Sequence, residues 1–490
     1  MVEYIIYILH HMQIYLFLIV FLYYSNTYLA FFLTPWLREK LLAQSSPNKA
    51  GVFKKENKNQ YSTTSFIQGP GTKQFFGMIG PNIHPEKVEN LFELFTGDGI
   101  IQGIFIQNNN ITFTKHLIQT DKKRNEENLS PKSKKDSIGM ILLKYFGYLI
   151  GINKINNLGA ANTAILPISI PVDENTTAAY ALFERDHPYL LHFYHNTSTI
   201  ETIRKVKTPY YLSGHSKNAK DMDGNTIIET IDYHIFSKKV MYYTMNENLT
   251  QVLTKSYINT HYIPIIHDFL STKDNIVIVD SPLVFDFAKL FRGKLPIHFA
   301  SELPTYIHVL HKNTGHITSY KLYSAFYVFH FAKYIDTYHQ LEIYAPLYDI
   351  IDFDSIKIKG RYRKIVLDKC HKTAVVCTNA ETEKYNLDFP VINSLGDIIL
   401  RNIAKRRING FVKVNNLLDI TKKWLFQNIF FCGEPISVML NNKNGLIAFG
   451  NNDDGPGGIV LLNMDDGTVM KYSLNCNLTM GFHTVSINRN

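Results

Sequence analysis

The chain of 490 residues is 45% apolar and has a formal net charge of +9. It is long enough to bury a large core, and its 32 Phe and 30 Tyr against 2 Trp favour strands. The basic residues are scattered, which argues against a nucleic-acid-binding protein, and four cysteines without C-x-x-C spacing argue against a zinc site or a disulfide framework and for a reducing compartment.

The amino terminus stands apart. From Tyr4 to Leu37 there is no Asp, Glu, Lys or Arg, and the run "IYLFLIVFLYYSNTYLAFFL" is long enough to cross a bilayer as a helix. Arg38, Lys40, Lys49, Lys54, Lys55 and Lys58 follow it, while only Glu3 precedes it. Residues 1–44 therefore read as a hydrophobic helix that anchors the protein to a membrane, with the body on the cytoplasmic side. The alternative is a helix lying in the interface.

From residue 45 to residue 490 the pattern changes to short strands and turns. The Gly97-Asp98-Gly99 stretch reads as a turn that needs positive φ ahead of an early hairpin. NNN at Asn108 to Asn110, MDGN at Met222 to Asn225, KNTG at Lys312 to Gly315 and MDDG at Met464 to Gly467 are further hairpin signals. The segment 121–137 carries Lys122, Lys123, Arg124, Lys132, Lys134 and Lys135 among acidic and polar residues, and so predicts a solvated surface insertion. "DNIVIVDSPLVFDF" and "SAFYVFHFAKYI" read as buried strands. Helical spacing is rare, and predicts short helices over Ile141 to Ile150 and Leu395 to Ile408. Many strands without βαβ alternation imply an all-β fold: a sandwich, a barrel or a propeller. No repeat of fixed length selects among these.

There are 19 histidines, and a lone histidine in a strand is ordinarily a core or surface residue. Four have better contexts: His215 in "SGHSKN", His267 in "IPIIHDFLST", His330 in "FYVFHFAKY" and His483 in "MGFHTVSI". They are too far apart for a local metal clip, so they would have to converge through the fold. The inner strands of a propeller all face one axis, which allows this. Four neutral imidazoles suit Fe, Cu, Zn or Ni.

The stretch from Phe76 to Thr120, with "GMIGPNIHP" and "LFTGDGIIQ", resembles the opening motifs of the carotenoid cleavage oxygenases, the family that includes the retinoid isomerase of the retinal pigment epithelium. "SGHSKN", "IPIIHDFLSTKDNIVIVDSPLVFD", "SAFYVFHFAKYID" and "MGFHTVSI" resemble that family's four histidine blocks in order, and the similarity runs from about Phe66 to the carboxyl end. The resemblance implies a seven-bladed β-propeller with a helical cap, and Fe(2+) held by His215, His267, His330 and His483. It implies carboxylates behind the histidines at Glu184 ("LFERD"), Asp388 ("NLDFPVIN") and Glu434 ("CGEPISV"), and Thr163 ("AANTAIL") beside the iron.

Three departures stand out. Asp388 is one methylene shorter than the family's glutamate, so a direct bond to a histidine requires the backbone to move. Gln102 replaces a histidine, and the segment between Thr163 and Glu184 is expanded. The activity implied is cleavage of a conjugated double bond in a carotenoid or apocarotenoid by O2, with the apolar amino terminus holding the body near membrane-dissolved substrate. A retinoid isomerohydrolase of the same fold is the second reading. The third is a non-enzymatic, membrane-anchored propeller that serves as an interaction module.

Overall fold

A strand covered on both faces is apolar at most positions, and the central strands of this chain carry such runs. In Asn275–Asp280, Ile276 and Ile278 join one hydrophobic cluster while Val277 and Val279 join the next. The computed structural model of the chain describes residues 59–62, 74–88, 91–107, 110–128, 159–286, 288–289, 296–353, 355–403, 409–440, 443–453 and 455–488. These form seven antiparallel sheets, the blades of a β-propeller, and a small hairpin of Leu283–Phe285 with Ile297–Phe299.

The first blade pairs both ends of the chain. Its strands lie in the order Asn59–Ser62, Asn110–Leu117, Gly99–Gln107, Gln74–Pro81, Thr484–Asn488. The second blade begins at Ala164–Pro167, the third at Lys217–Lys220 and the fourth at Leu270–Ser271. The fifth begins at Tyr327–Val328, the sixth at Leu387–Ile392 and the seventh at Ile429–Phe431. In the last strands, such as Thr199–Lys205 and Val469–Ser473, exposed positions alternate with covered ones, which marks the rim.

Seven hydrophobic clusters fill the seven gaps between neighbouring blades. Phe75, Ile101 and Leu191 join the first to the second; Tyr180 and Tyr243 the second to the third; Ile231 and Ile278 the third to the fourth. Val277 and Ile343 join the fourth to the fifth, Tyr362 and Leu400 the fifth to the sixth, and Phe411 and Ala448 the sixth to the seventh. Ile447 and Phe113 bring the seventh back to the first, so the ring closes.

The predicted hairpins are present, and Gly224, Gly315 and Gly467 have φ of 83°, 70° and 79° in their turns. Gly97 and Gly99 do not need positive φ. They are small because the chain is crowded there: a Cβ on Gly99 would lie 2.3 Å from the Ala161 carbonyl oxygen, and one on Gly97 would lie 2.6 Å from Pro81 Cβ.

Three other expectations are corrected. Residues 398–402, predicted helical, form the strand Ile398–Asn402 at the centre of the sixth blade. The run read as one strand around His330 is two short strands, Tyr327–Val328 and Lys333–Asp336, with the histidine in the break. Asp121–Asn128, read as solvated, is a helix whose Lys123 is buried, while residues 129–137 lie outside the described residues.

Among the described residues the helices are short, the longest being Leu91–Thr96 and Asp121–Asn128, too little to build the expected helical cap. None of them is long and apolar enough to cross a membrane. The hydrophobic segment 1–44 and the helix expected over 141–150 lie outside the described residues.

Candidate metal centre

Each of the four predicted histidines sits beside the innermost strand of its blade, and these strands meet at the axis. His215 precedes Lys217–Lys220, His267 precedes Leu270–Ser271, His330 follows Tyr327–Val328, and His483 precedes Thr484–Asn488. The third, fourth, fifth and first blades thus send one imidazole each to a common point. One ring nitrogen from each lies within 4.8 Å of all the others. His215 Nε2 and His267 Nε2 are 3.0 Å apart. At a metal–nitrogen distance of about 2.1 Å, two ligands at right angles stand about 3 Å apart, so the spacing suits a single ion.

Buried polar atoms normally have partners. Here Nε2 of His330 and Nε2 of His483 are buried with no hydrogen-bond partner. Two orphaned imidazole nitrogens turned to the same point as two others are explained by a cation between them. Protonation does not compete well for that place. Burial, then the neighbouring His483, His267 and His330, push His215 well below the ordinary imidazole range. Burial also lowers His330, despite the opposing pull of Asp388. Neutral imidazoles are the form that binds metal.

The three blades without a histidine supply the carboxylates. Asp388, in the sixth blade, accepts a hydrogen bond from His330 Nδ1 at 2.7 Å. The Tyr348 hydroxyl donates to its other oxygen. Burial pushes Asp388 up, but His330, Tyr348 and the Phe389 amide together hold it below the ordinary carboxylate value. Glu184, after the second strand of the second blade, stands 3.6 Å from His267 Nδ1 and accepts from the Tyr233 hydroxyl at 2.6 Å. Glu434, in the seventh blade, stands 3.6 Å from His483 Nδ1 and accepts from Thr484 N and Oγ1 at 2.9 and 3.0 Å. The hydrogen bond to Asp388 fixes the tautomer that leaves Nε2 of His330 for a metal, and the two glutamates favour the same tautomer of their histidines through charge. His215 has a weaker version: Asp268 is 4.0 Å from its Nδ1 and is held by Lys217 at 2.8 Å.

The short aspartate reaches its histidine because the backbone does move. The pairing of Leu387–Ile392 with Ile398–Asn402 slips between Asp388 and Val391, and Phe389 adopts φ 54°. A β-bulge re-aims the side chains around it. It also turns the Phe389 ring to within 5.1 Å of His330 and 5.9 Å of His483, centroid to centroid.

Thr163, next to the first strand of the second blade, packs against Gly214, where a Cβ would lie 2.6 Å from Thr163 Cγ2. It is therefore packed on the residue that precedes His215. Gln102 lies elsewhere: its buried amide pairs with both the N–H and the carbonyl of Thr479, which leads to His483.

Several residues at this site carry no sequence signal. Phe95, Phe329, Phe389 and Phe482 form an aromatic group against the histidines: Phe329 is 5.3 Å from His267, and Phe95 is 5.9 Å from His267 and 6.3 Å from Phe482. Tyr233 and Tyr348 support two carboxylates. Phenylalanines and tyrosines are too common here for any one to be marked by its neighbours.

The family model described as "Retinal pigment epithelial membrane protein" matches residues 75–484. Among solved structures, an apocarotenoid oxygenase from Synechocystis in a cobalt-substituted form is 16% identical at a TM-score of 0.68, covering 92% of this chain and 99% of its own. A single-tryptophan variant of that oxygenase is 15% identical at 0.68 with the same coverage. A chimera of it with RPE65 is 15% identical at 0.67, covering 91% and 98%. These structures share the propeller. The family match takes in most of the chain and every histidine of the central group, and the chain belongs to the retinal pigment epithelial membrane protein family, the carotenoid oxygenases.

Proposed function

We propose that this protein is a non-haem iron(II) dioxygenase that cleaves a conjugated double bond of a carotenoid or apocarotenoid. One observation carries the reading: four imidazoles from four blades converge, and two of them have buried, orphaned Nε2 atoms. His215, His267, His330 and His483 would hold the ion, with Glu184, Asp388 and Glu434 fixing three of the rings. When bound, ferrous iron supplies the redox chemistry with O2 that no side chain provides.

The rest falls to the chain. The four aromatic rings would offer apolar contacts to a polyene, which has no charge to anchor and binds by burial. Thr163, packed against Gly214 from the side of the second blade, would border the reacting face. The overall change needs no acid or base: the C=C bond breaks, both atoms of O2 enter the products, and two carbonyl compounds leave. The apolar segment 1–44 would hold the body at the cytoplasmic face of a membrane, where such a substrate dissolves.

The second reading, a retinoid isomerohydrolase, rests on the family match, whose description is that of the retinal pigment epithelial protein. It consumes no O2, so one experiment separates the two. The detergent-solubilised full chain and its His267→Ala variant are assayed for iron, then mixed with an apocarotenoid in an oxygen electrode. We expect about one iron per chain, lost in the variant, and O2 uptake matched by aldehyde or ketone product. Iron without O2 uptake, but with turnover of a retinyl ester, would favour the isomerohydrolase. A folded protein that takes up no iron would leave only a binding scaffold.

A further inference from the structure

A second set of side chains with metal-ligand chemistry lies between the third and fourth blades. His261, Asp280 and His308 each place one donor atom within 4.8 Å of the others, and none of them belongs to the central group. His261 follows Val252–Asn259, the last strand of the third blade. Asp280 ends Asn275–Asp280, and His308 lies in the adjacent strand Thr305–His311 of the fourth. Both imidazoles address the same oxygen: His261 Nδ1 is 3.2 Å and His308 Nε2 is 3.3 Å from Asp280 Oδ2. At zinc–ligand distances of about 2.1 Å, tetrahedral neighbours stand about 3.4 Å apart.

Each donor is held in position. The Asp280 side chain is fully buried and accepts from the His261 and Tyr262 amides at 2.5 and 3.3 Å. The His261 ring stacks on Tyr306, with centroids 3.7 Å apart and planes 8° apart, and lies within 4° of parallel to His308. His308 Nδ1 is 2.8 Å from Ser319 Oγ. With Nδ1–H donating to that hydroxyl, Nε2 would be free to turn a lone pair to a cation bound beside Asp280. A metal-bound histidine is typically tied in this way through its other nitrogen.

We propose that His261, Asp280 and His308 bind a divalent ion of the zinc class, with water completing the coordination. The ion joins the segment leaving the third blade to two strands of the fourth. That segment, residues 260–269, carries His267, so the clip steadies one arm of the central group from outside it. The proposal does not depend on the reaction assigned to that group.

The test is equilibrium dialysis of the tag-free full chain against Zn²⁺, with bound metal counted by mass spectrometry, beside His261→Ala. His261 is half-exposed, so this variant should fold. The expected result is about two ions per wild-type chain, one in each cluster, and about one in the variant. Ser319→Ala should keep the second ion but bind it about tenfold more weakly. An equal zinc count in wild type and His261→Ala overturns the proposal. A single wild-type ion lost in His261→Ala would support this site and count against the central one.

Discussion

The histidines and the three carboxylates behind them could be found by their surroundings in the sequence, but the backbone geometry that joins them could not. Asp388 was legible as a carboxylate in the right block. That it reaches His330 depends on a bulge and on the left-handed backbone of Phe389, which no local pattern announces, because a non-glycine residue there costs on the order of 1–3 kcal/mol and persists only when its surroundings impose it. The three carboxylates are also unequal. Asp388 is hydrogen-bonded to its histidine at 2.7 Å, whereas Glu434 stands off at 3.6 Å and takes its bonds from Thr484. Asp388→Ala should therefore lower metal affinity on the order of 10- to 100-fold, and Glu434→Ala by less. Competition titration against a chelator of known affinity measures both. Equal losses would mean that both carboxylates act through charge alone, and would remove the special place given to the bulge. Tyr348→Phe should cost less than Asp388→Ala, since it frees one carboxylate oxygen and leaves the bond to His330 in place.

Among the elements, hairpins were the most readable, because Asn-, Asp- and Gly-rich turns between apolar runs have a local cause. The strand Ile398–Asn402 was misread because a short apolar run followed by Lys and Arg fits a helix as well as a doubly buried strand. Gln102 was seen only as a missing histidine. In the fold it is a clasp: its amide accepts the Thr479 N–H at 3.0 Å and donates to the Thr479 carbonyl at 3.3 Å, across 377 residues of chain. It lies just ahead of the strand Thr484–Asn488, which completes the first blade and follows His483. Gln102→Ala would leave two buried backbone groups unpaired, at about 1–3 kcal/mol each. Urea unfolding should show a loss of roughly 3 kcal/mol. A change under about 0.5 kcal/mol would mean that strand pairing alone holds the carboxyl end. Gly99→Ala should also destabilise, by about 1–3 kcal/mol, because a methyl group there meets the Ala161 carbonyl oxygen rather than a movable side chain.

For the molecule as a whole, the number of blades was not legible from periodicity: the blades differ in strand length and loop insertions, and only their packing repeats. That packing makes the ring as strong as its seven gaps, and the first and second blades carry buried titratable groups. His116, in the first blade, is bonded to Thr202 of the second at 2.8 Å, and burial lowers its pKa to about 4. His187, in the second blade, is lowered to about 4 by burial and by Lys205 and Lys207. Between pH 6.5 and about 4 the unfolded chain protonates both while the folded chain does not, so stability falls as pH falls through this window. Each shift corresponds to about 3 kcal/mol. Asp186, raised by burial to about 6 against the pull of Lys205, acts in the opposite sense: the folded chain takes its proton first, returning about 3 kcal/mol as pH falls from 6 to 3.8. Two losses against one gain leave a net loss of about 3 kcal/mol between pH 6.5 and 4. Urea unfolding at pH 7 and pH 4.5 should therefore show a lower midpoint in acid. His116→Gln, which keeps a partner for Thr202 but cannot titrate, should show a smaller drop. If the variant and wild type lose stability equally, the first gap is not where acid acts, and the central imidazoles become the place to look.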